Sequence, residues 1–235
     1  MFLTSQQKER LADQLARIPA RELTGEIMEK ILAAVFPDAH QLPKDKKWFD
    51  IVQPTRALEV KTFVAPPPLQ VGSTVYNVLK RVSKVRTKDS AGRLRDTKEV
   101  GNEVIDYLHT SIREHANRKR VPENHILSVL LRTSDARSFV YWEEPLYFGR
   151  REDYRWIWNP NETLTGCRGD EIIFQWYSRN QKQLFYRWKV PPNADFFQVQ
   201  PVRTVTLTEH EYEAERRKAY QEGYDDAKAG KPKRL

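Results

Sequence analysis

The segment from Trp48 to Val64 constrains the fold of this chain more than any other. Two short apolar runs flank residues 53–56, and the proline at position 54 is typical of a tight turn, so the sequence predicts a β-hairpin. A loop of two or four residues, centred between Pro54 and Thr55, determines which residues of the two strands face each other. The predicted pairs are Val52 with Ala57, Ile51 with Leu58, and Asp50 with Glu59.

The predicted register places two acids, Asp50 and Glu59, directly opposite each other. At roughly 5 Å and an effective dielectric constant of about 20, two such charges repel by about 3 kcal/mol, which destabilises a sheet. Strand alternation puts Lys61 on the same face as Glu59, while the residues between them point toward a core. Two carboxylates and an ammonium group that converge in this way suit a divalent cation and a phosphodiester. A surface salt bridge between Lys61 and either acid is the alternative.

Two helices are predicted before the hairpin. The first begins at a capping box formed by Thr4 and Gln7, and the second runs from Thr24 to about Phe36 with an apolar stripe on one face. Three acids share a flank beside that stripe: Glu22, Glu26 and Glu29. A solvated acidic face is one interpretation, and a contribution to the carboxylate site is the other. Residues 37–47 are polar and rich in Lys and Pro, and could contain a short edge strand.

Residues 76–120 contribute +6 to the net charge of +8, with twelve Lys or Arg and six Asp or Glu. This region is therefore the predicted contact surface for a polyanion backbone. Within it, residues 83–95 are interpreted as a mobile basic loop or, alternatively, as an ordinary solvated loop. The candidate DNA-binding residues here are Lys80, Arg81, Lys84, Arg86, Lys88, Arg93 and Arg95.

A long helix is predicted to begin at Asp96, to carry apolar residues every fourth position from Val100 to Ile112, and to end before Pro122. The apolar run at 126–131 that follows is typical of a buried central strand. The order strand, helix, strand predicts a parallel crossover connection. A further strand is predicted at 139–142.

From Tyr154 onward, tryptophan and tyrosine alternate with basic residues. Residues 171–177 and 182–189 predict a second hairpin, which could enter a DNA groove or contribute its aromatic side chains to a core. Its candidate DNA-binding residues are Arg179, Lys182 and Arg187. A last helix is predicted over residues 208–229, followed by a basic tail, and is interpreted as a peripheral element or a dimer arm.

The chain of 235 residues has one cysteine, Cys167, which excludes an intrachain disulfide and a zinc site built from cysteines. No apolar run approaches 18 residues, and the first residues lack the pattern of a signal peptide. We therefore expect a soluble cytoplasmic protein with no membrane partner, encoded by a bacterium, an archaeon or a phage.

Asp50, followed by Glu59-Val60-Lys61, resembles the signature of the PD-(D/E)XK nucleases, the restriction-endonuclease-like superfamily. The resemblance covers roughly residues 22–131: a helix with a glutamate, a hairpin with the acids, a long helix and an apolar strand. Phe49 occupies the position of the proline for which the family is named, and the first strand of the usual meander is faint.

The resemblance implies roles for individual residues. Asp50 and Glu59 would be ligands of Mg²⁺, or alternatively of Mn²⁺, and Lys61 would be the group that activates water. Many members carry a helical acid four residues after a glycine, and Gly25 with Glu29 has this spacing. Glu29 is therefore the implied fourth catalytic residue, with Glu26 as its alternate.

The implied fold is α/β, with a restriction-endonuclease-like mixed sheet flanked by helices and an additional β-rich C-terminal portion. We expect a nuclease core with N-terminal helices over 1–135, and a β-rich extension over 136–207 on the same domain, for DNA recognition or core completion. A C-terminal helix with a basic tail is expected over 208–235.

The implied function is Mg²⁺-dependent endonuclease activity on double-stranded DNA, most specifically that of a homodimeric type II restriction endonuclease at a palindromic site. A repair, recombination or phage nuclease is the alternative within the superfamily. A non-catalytic DNA-binding module on the same fold is the alternative of another class.

Overall fold

Side-chain caps define where the helices begin. The computed structural model describes residues 2–43, 48–178 and 182–200, so the predicted C-terminal helix and tail (208–235) and Arg179 lie outside the described residues. The helices are α1 (Ser5–Ala16), α2 (Gly25–Val35) and α3 (Thr97–Lys119). Thr4, Thr24 and Asp96 each accept a main-chain hydrogen bond at the start of these helices, which satisfies an otherwise unpaired N–H group. All three predicted helix starts are confirmed.

The first sheet is mixed and has six strands in the order β1-β2-β3-β5-β6-β11. Its strands are β1 (His40–Gln41), β2 (Ile51–Gln53), β3 (Arg56–Val64), β5 (His125–Arg132), β6 (Ser138–Pro145) and β11 (Asp195–Gln198). β1 is the short edge strand that the sequence allowed, β2 and β3 form the predicted hairpin, and β3 and β5 are parallel as predicted. The hairpin pairs Ile51 with Leu58, Val52 with Ala57, and Gln53 with Arg56, so the predicted register is confirmed around a two-residue loop.

Two hydrophobic cores cover the two faces of this sheet. On one face α1 and α2 pack against Ile51, Leu58 and Val60. On the other face α3 and a second sheet pack against Ala57, Phe63 and further strand residues. Because successive strand residues alternate between faces, Glu59 and Lys61 share the face of Ala57 and Phe63, which is the α3 side of the sheet.

The second sheet is antiparallel, with five strands in the order β4-β10-β9-β8-β7. Its strands are β4 (Thr74–Arg81), β7 (Arg155–Trp158), β8 (Thr163–Arg168), β9 (Glu171–Tyr177) and β10 (Gln183–Lys189). The pairing of β9 with β10 confirms the second predicted hairpin. β9 also pairs with β8, and β10 also pairs with β4, so the described residues of this hairpin lie in the interior of a sheet and do not form a free ribbon.

The aromatic residues of this region mainly form a core. Trp156, Phe174, Trp176 and Trp188 are buried, and the rings of Trp156 and Phe174 stack with their centroids 6.0 Å apart. The core interpretation is therefore the correct one for these side chains, since stacked and buried rings cannot reach bases.

Residues 136–200 contribute to both sheets. β6 and β11 extend the first sheet beyond β5, whereas β7 to β10 join β4 in the second sheet. The α/β class, with a mixed sheet, helices and additional strands, is thus confirmed. Strands β4, β7, β8 and β11 were not predicted, because β4 lies in a segment dominated by its charges and the other three are short. No helix in the described ranges is long and apolar enough to cross a membrane.

Gly101, in α3, allows the helix to approach β7 closely. A Cβ atom at this position would lie 2.2 Å from two ring atoms of Trp156, far inside van der Waals contact. We expect Gly101→Ala to lower the free energy of unfolding by about 1–3 kcal/mol, although alanine favours a helix by about 1 kcal/mol over glycine. Urea denaturation measures this change. In a Trp156→Leu background the cost should shrink, and an equal cost in both backgrounds would contradict the close contact.

Candidate active site

The two acids of the hairpin are tied to each other's strand. Asp50 Oδ2 accepts a hydrogen bond of 2.8 Å from the N–H of Val60, the residue after Glu59. Glu59 Oε2 accepts one of 2.9 Å from the N–H of Phe49, the residue before Asp50. These crossed bonds hold two carboxylates side by side in spite of their repulsion, and they orient both groups through main-chain donors.

Phe49 supports this arrangement with an unusual backbone. Its φ of 66° lies in the left-handed region, which costs a non-glycine residue about 1–3 kcal/mol. The Phe49 ring is buried and packs against the rings of His115 and His125, with centroid distances of 5.8 and 4.7 Å. Proline could neither adopt this φ nor donate the hydrogen bond to Glu59. The departure from the family pattern at this position therefore has a physical role.

Lys61 completes the cluster. Its Nζ lies 2.7 Å from Glu59 Oε1, and the Glu59 side chain is 2% exposed. Burial alone would lower the pKa of Lys61, but the carboxylates of Glu59, Asp50 and Glu29 raise it above its usual value. Lys61 is thus a cation at neutral pH when no metal ion is bound.

The pKa of Asp50 is also raised, and for an acid this favours the neutral form. Burial and the negative charges of Glu59 and Glu29 raise it from 3.8 to about 7, against the opposing effects of the Val60 N–H and Lys61. The ionised site is therefore short of positive charge.

Glu29 and Glu26 lie in different surroundings, although both belong to α2. Glu29 is half-buried, and its charge acts on both Asp50 and Lys61. Glu26 is exposed and lies 3.3 Å from Lys30. Of the two alternates, the structure thus brings Glu29 to the hairpin acids and leaves Glu26 on the outer flank.

The donor set fits a hard cation such as Mg²⁺. In the described parts of the chain, no group of three or more His, Cys, Asp or Glu is placed to hold a metal ion. Mg²⁺ is usually held by one or two carboxylates together with water and substrate phosphate, so the oxygen pair of Asp50 and Glu59 suffices. The raised pKa of Asp50 supports this fit, because a bound cation would offset the charge that raises it.

Four of the ten predicted DNA-binding cations form ion pairs between described residues: Lys88, Arg93, Arg95 and Arg187. Arg95 binds Glu99 and Glu103 at 2.5 and 2.6 Å, and Arg93 lies 3.1 Å from Asp89. These contacts account for much of the positive charge of the 83–95 loop, so that loop is less basic toward solvent than its composition indicates.

The other basic candidates differ in whether their charged groups interact with another described residue. Lys88 lies 3.4 Å from Glu162, Arg187 lies 3.6 Å from Glu171, and Lys182 donates to the Ser83 carbonyl. Lys80 lies over the ring of Trp48. Three candidates are exposed and form no ion pair with a described residue: Arg81, Lys84 and Arg86.

Sequence reasoning missed one feature of the site, the Phe49 N–H, a main-chain donor that no side-chain pattern could indicate. It also missed Glu144 on β6, outside the site, which faces Leu127 of β5, the partner of Glu59 in β3. Burial raises the pKa of Glu144 to about 7, and alternation along β6 was the signal that could have placed it on this face.

Comparisons of the chain with protein-family models, curated proteins and solved structures find no match. The residues and their geometry therefore carry the functional interpretation.

Asp50 should make stability depend on pH in the absence of a divalent cation. Because its pKa in the folded protein is higher than its ordinary value of 3.8, the contribution of Asp50 to stability is favourable below about pH 4 and is lost as pH rises toward 7. The free energy of unfolding of Asp50→Asn, relative to that of the wild type, should therefore increase by roughly 2–4 kcal/mol between pH 4 and pH 8. Urea denaturation in EDTA measures the gain, and Asp13→Asn controls for loss of a surface charge. A constant difference between Asp50→Asn and wild type would contradict the assignment.

Proposed function

We propose that this chain is a Mg²⁺-dependent DNA endonuclease. The observation that carries the proposal is the pair of carboxylates, Asp50 and Glu59, that accept crossed main-chain hydrogen bonds. The Nζ of Lys61 lies 2.7 Å from Glu59 Oε1. The charge of Glu29 acts on both Asp50 and Lys61. This set of groups matches the roles implied by the resemblance to the PD-(D/E)XK nucleases. A solvated salt bridge would not require buried acids, crossed main-chain bonds and a strained backbone at one place.

The chain's own residues have distinct roles in the proposed reaction. Asp50 and Glu59 would hold Mg²⁺, or Mn²⁺ as the alternative, and the bound cation would supply positive charge that polarises the phosphate. Lys61 would donate a hydrogen bond to a non-bridging phosphate oxygen and offset charge in the pentacovalent transition state, or position and activate the attacking water as the resemblance implies. Glu29 would accept a hydrogen bond from the attacking water and orient it in line with the leaving oxygen.

Double-stranded DNA is the proposed substrate, and the homodimeric type II restriction endonuclease remains the most specific proposal. A repair, recombination or phage nuclease is the alternative in the same class. The interior position of β9 and β10 favours this alternative, because the hairpin expected to read bases is not a free ribbon over its described residues. A DNA-binding module would need none of the buried acids.

Incubation of the purified protein with plasmid DNA and Mg²⁺ tests the proposal. Discrete fragments indicate a restriction enzyme, nicks or smears indicate a less specific nuclease, and intact plasmid indicates a binding module. Asp50→Ala and Lys61→Ala should each lower the cleavage rate about 100-fold or more, because each removes a charged group that acts in the transition state. DNA binding, measured separately in EDTA, should persist in both variants.

Two substitutions on α2 form a matched pair in the same assay. Glu29→Gln should reduce cleavage at least tenfold, whereas Glu26→Gln, one turn away on the outer flank, should leave it unchanged. Unchanged cleavage rates in Asp50→Ala or Lys61→Ala would contradict the assignment of the hairpin to the active site. Equal effects of the two glutamine variants would contradict the assignment of Glu29.

A further inference from the structure

A cleft of about 800 Å³ lies beside the hairpin site. One wall is a stripe of α3 that runs from Glu103 to Arg118, and the other is formed by the end of β4 and the following residues, 80–85. At 1.5 Å per residue, the helical wall is roughly 22 Å long. The cleft is therefore an elongated channel between a helix and a strand end.

The positive charge of the cleft exceeds its negative charge. Its walls contain four cations, Lys80, Arg81, Lys84 and Arg118, and three acids, Glu103, Asp106 and Glu114. Glu103 is bound by Arg95, and Asp106 by Arg151 at 2.5 Å, and neither arginine lines the cleft. Two of the three lining acids are thus bound by arginines from outside, while Arg81 and Lys84 are exposed and form no ion pair with a described residue, so the channel favours an anionic ligand.

Aromatic and hydroxyl groups accompany these charges. Tyr107 is half-buried along the channel: its ring packs against the core, and its hydroxyl donates a hydrogen bond of 3.4 Å to the Arg81 carbonyl. Ser111 accepts a hydrogen bond of 2.8 Å from Trp48 Nε1. Cations that track a backbone, together with an aromatic ring on which a base can stack, are the two elements of single-strand recognition.

The channel adjoins the proposed active site through buried side chains, although Asp50, Glu59 and Lys61 do not line it. Trp48 lines it and stands two residues before Asp50, and His115 lines it and packs against Phe49. The concave walls and the volume suit a ligand of one or a few nucleotides, since cavities of about 300–1,000 Å³ enclose molecules of that size. A duplex presents a convex surface, which fits such a channel poorly.

We propose that this cleft binds a single-stranded polynucleotide segment adjoining the phosphodiester at Asp50, Glu59 and Lys61. The inference rests on the proposed nuclease function, and it specifies the substrate as DNA with an unpaired strand next to the cleaved bond. It therefore favours the repair, recombination or phage nuclease over the restriction endonuclease. Arg81 and Lys84 contact the phosphates, and Tyr107 stacks on a base.

Fluorescence anisotropy of a labelled 12-nucleotide single strand, with full-length protein in EDTA, tests this inference without cleavage. The single strand should bind more tightly than a blunt duplex of equal length. Arg81→Ala combined with Lys84→Ala should weaken single-strand binding at least tenfold, and should reduce the slope of log K against log salt by about 1.4, as expected for two lost phosphate contacts. Arg10→Ala combined with Arg137→Ala removes the same charge at exposed positions outside the cleft, and should change binding less than twofold.

Tyr107 provides a second test that does not alter charge. Tyr107→Phe keeps the ring and should bind like wild type, whereas Tyr107→Ser should weaken single-strand binding about tenfold. Circular dichroism of each variant verifies folding. Equal losses in the cleft and control double variants, or equal affinities of Tyr107→Phe and Tyr107→Ser, would overturn the inference.

The outcomes separate this inference from the proposed function. Plasmid cleavage with no single-strand binding by the wild type would overturn the inference and leave the nuclease proposal standing. Cleft-dependent single-strand binding with no cleavage of any DNA would support the inference as a binding site and overturn the nuclease proposal.

Discussion

The mutual repulsion of Asp50 and Glu59 is the constraint on which the rest of the site depends. Each carboxylate accepts a hydrogen bond from a main-chain N–H next to the other acid, so the two strands are held together at the point where their charges oppose. That arrangement requires the left-handed backbone of Phe49, and the packing of its ring against two histidines offsets the strain. Lys61 then compensates part of the negative charge, while burial and the neighbouring charges of Glu59 and Glu29 still raise the pKa of Asp50.

Much of the fold could be predicted because local signals agree with it. Pro54 fixed the hairpin turn, and capping residues with apolar periodicity located the helices. β4 was missed because its apolar residues, at 75, 76, 78 and 79, do not alternate regularly, and β7 and β8 because strand formation there depends on the neighbouring strands of the sheet. The sequence identified the acids and Lys61, but it could not choose between Glu29 and Glu26, since both lie on one flank of α2 and only packing brings Glu29 to Asp50. Nor could side chains indicate a donor in the backbone of Phe49.

The unpaired positive charge of this chain covers a smaller surface than its composition indicates. The +6 of residues 76–120 predicts a broad basic surface, yet Arg93, Arg95 and Lys88 are satisfied by nearby acids. The cleft differs because arginines outside it bind two of its lining acids, whereas Arg81 and Lys84 in its wall form no ion pair with a described residue. A nucleic-acid path that runs from this cleft to the hairpin would explain why Trp48 and His115 contribute to both places.

Binding of Mn²⁺, measured by isothermal titration calorimetry on the full-length protein, tests the central claim most directly. The account predicts that the wild type binds the cation in a complex with uncleaved DNA analogue, that Asp50→Asn and Glu59→Gln lose this binding, and that Glu26→Gln retains it. Wild-type protein that fails to bind the cation, or Asp50→Asn that binds it equally well, would contradict the assignment of the hairpin acids as a metal site.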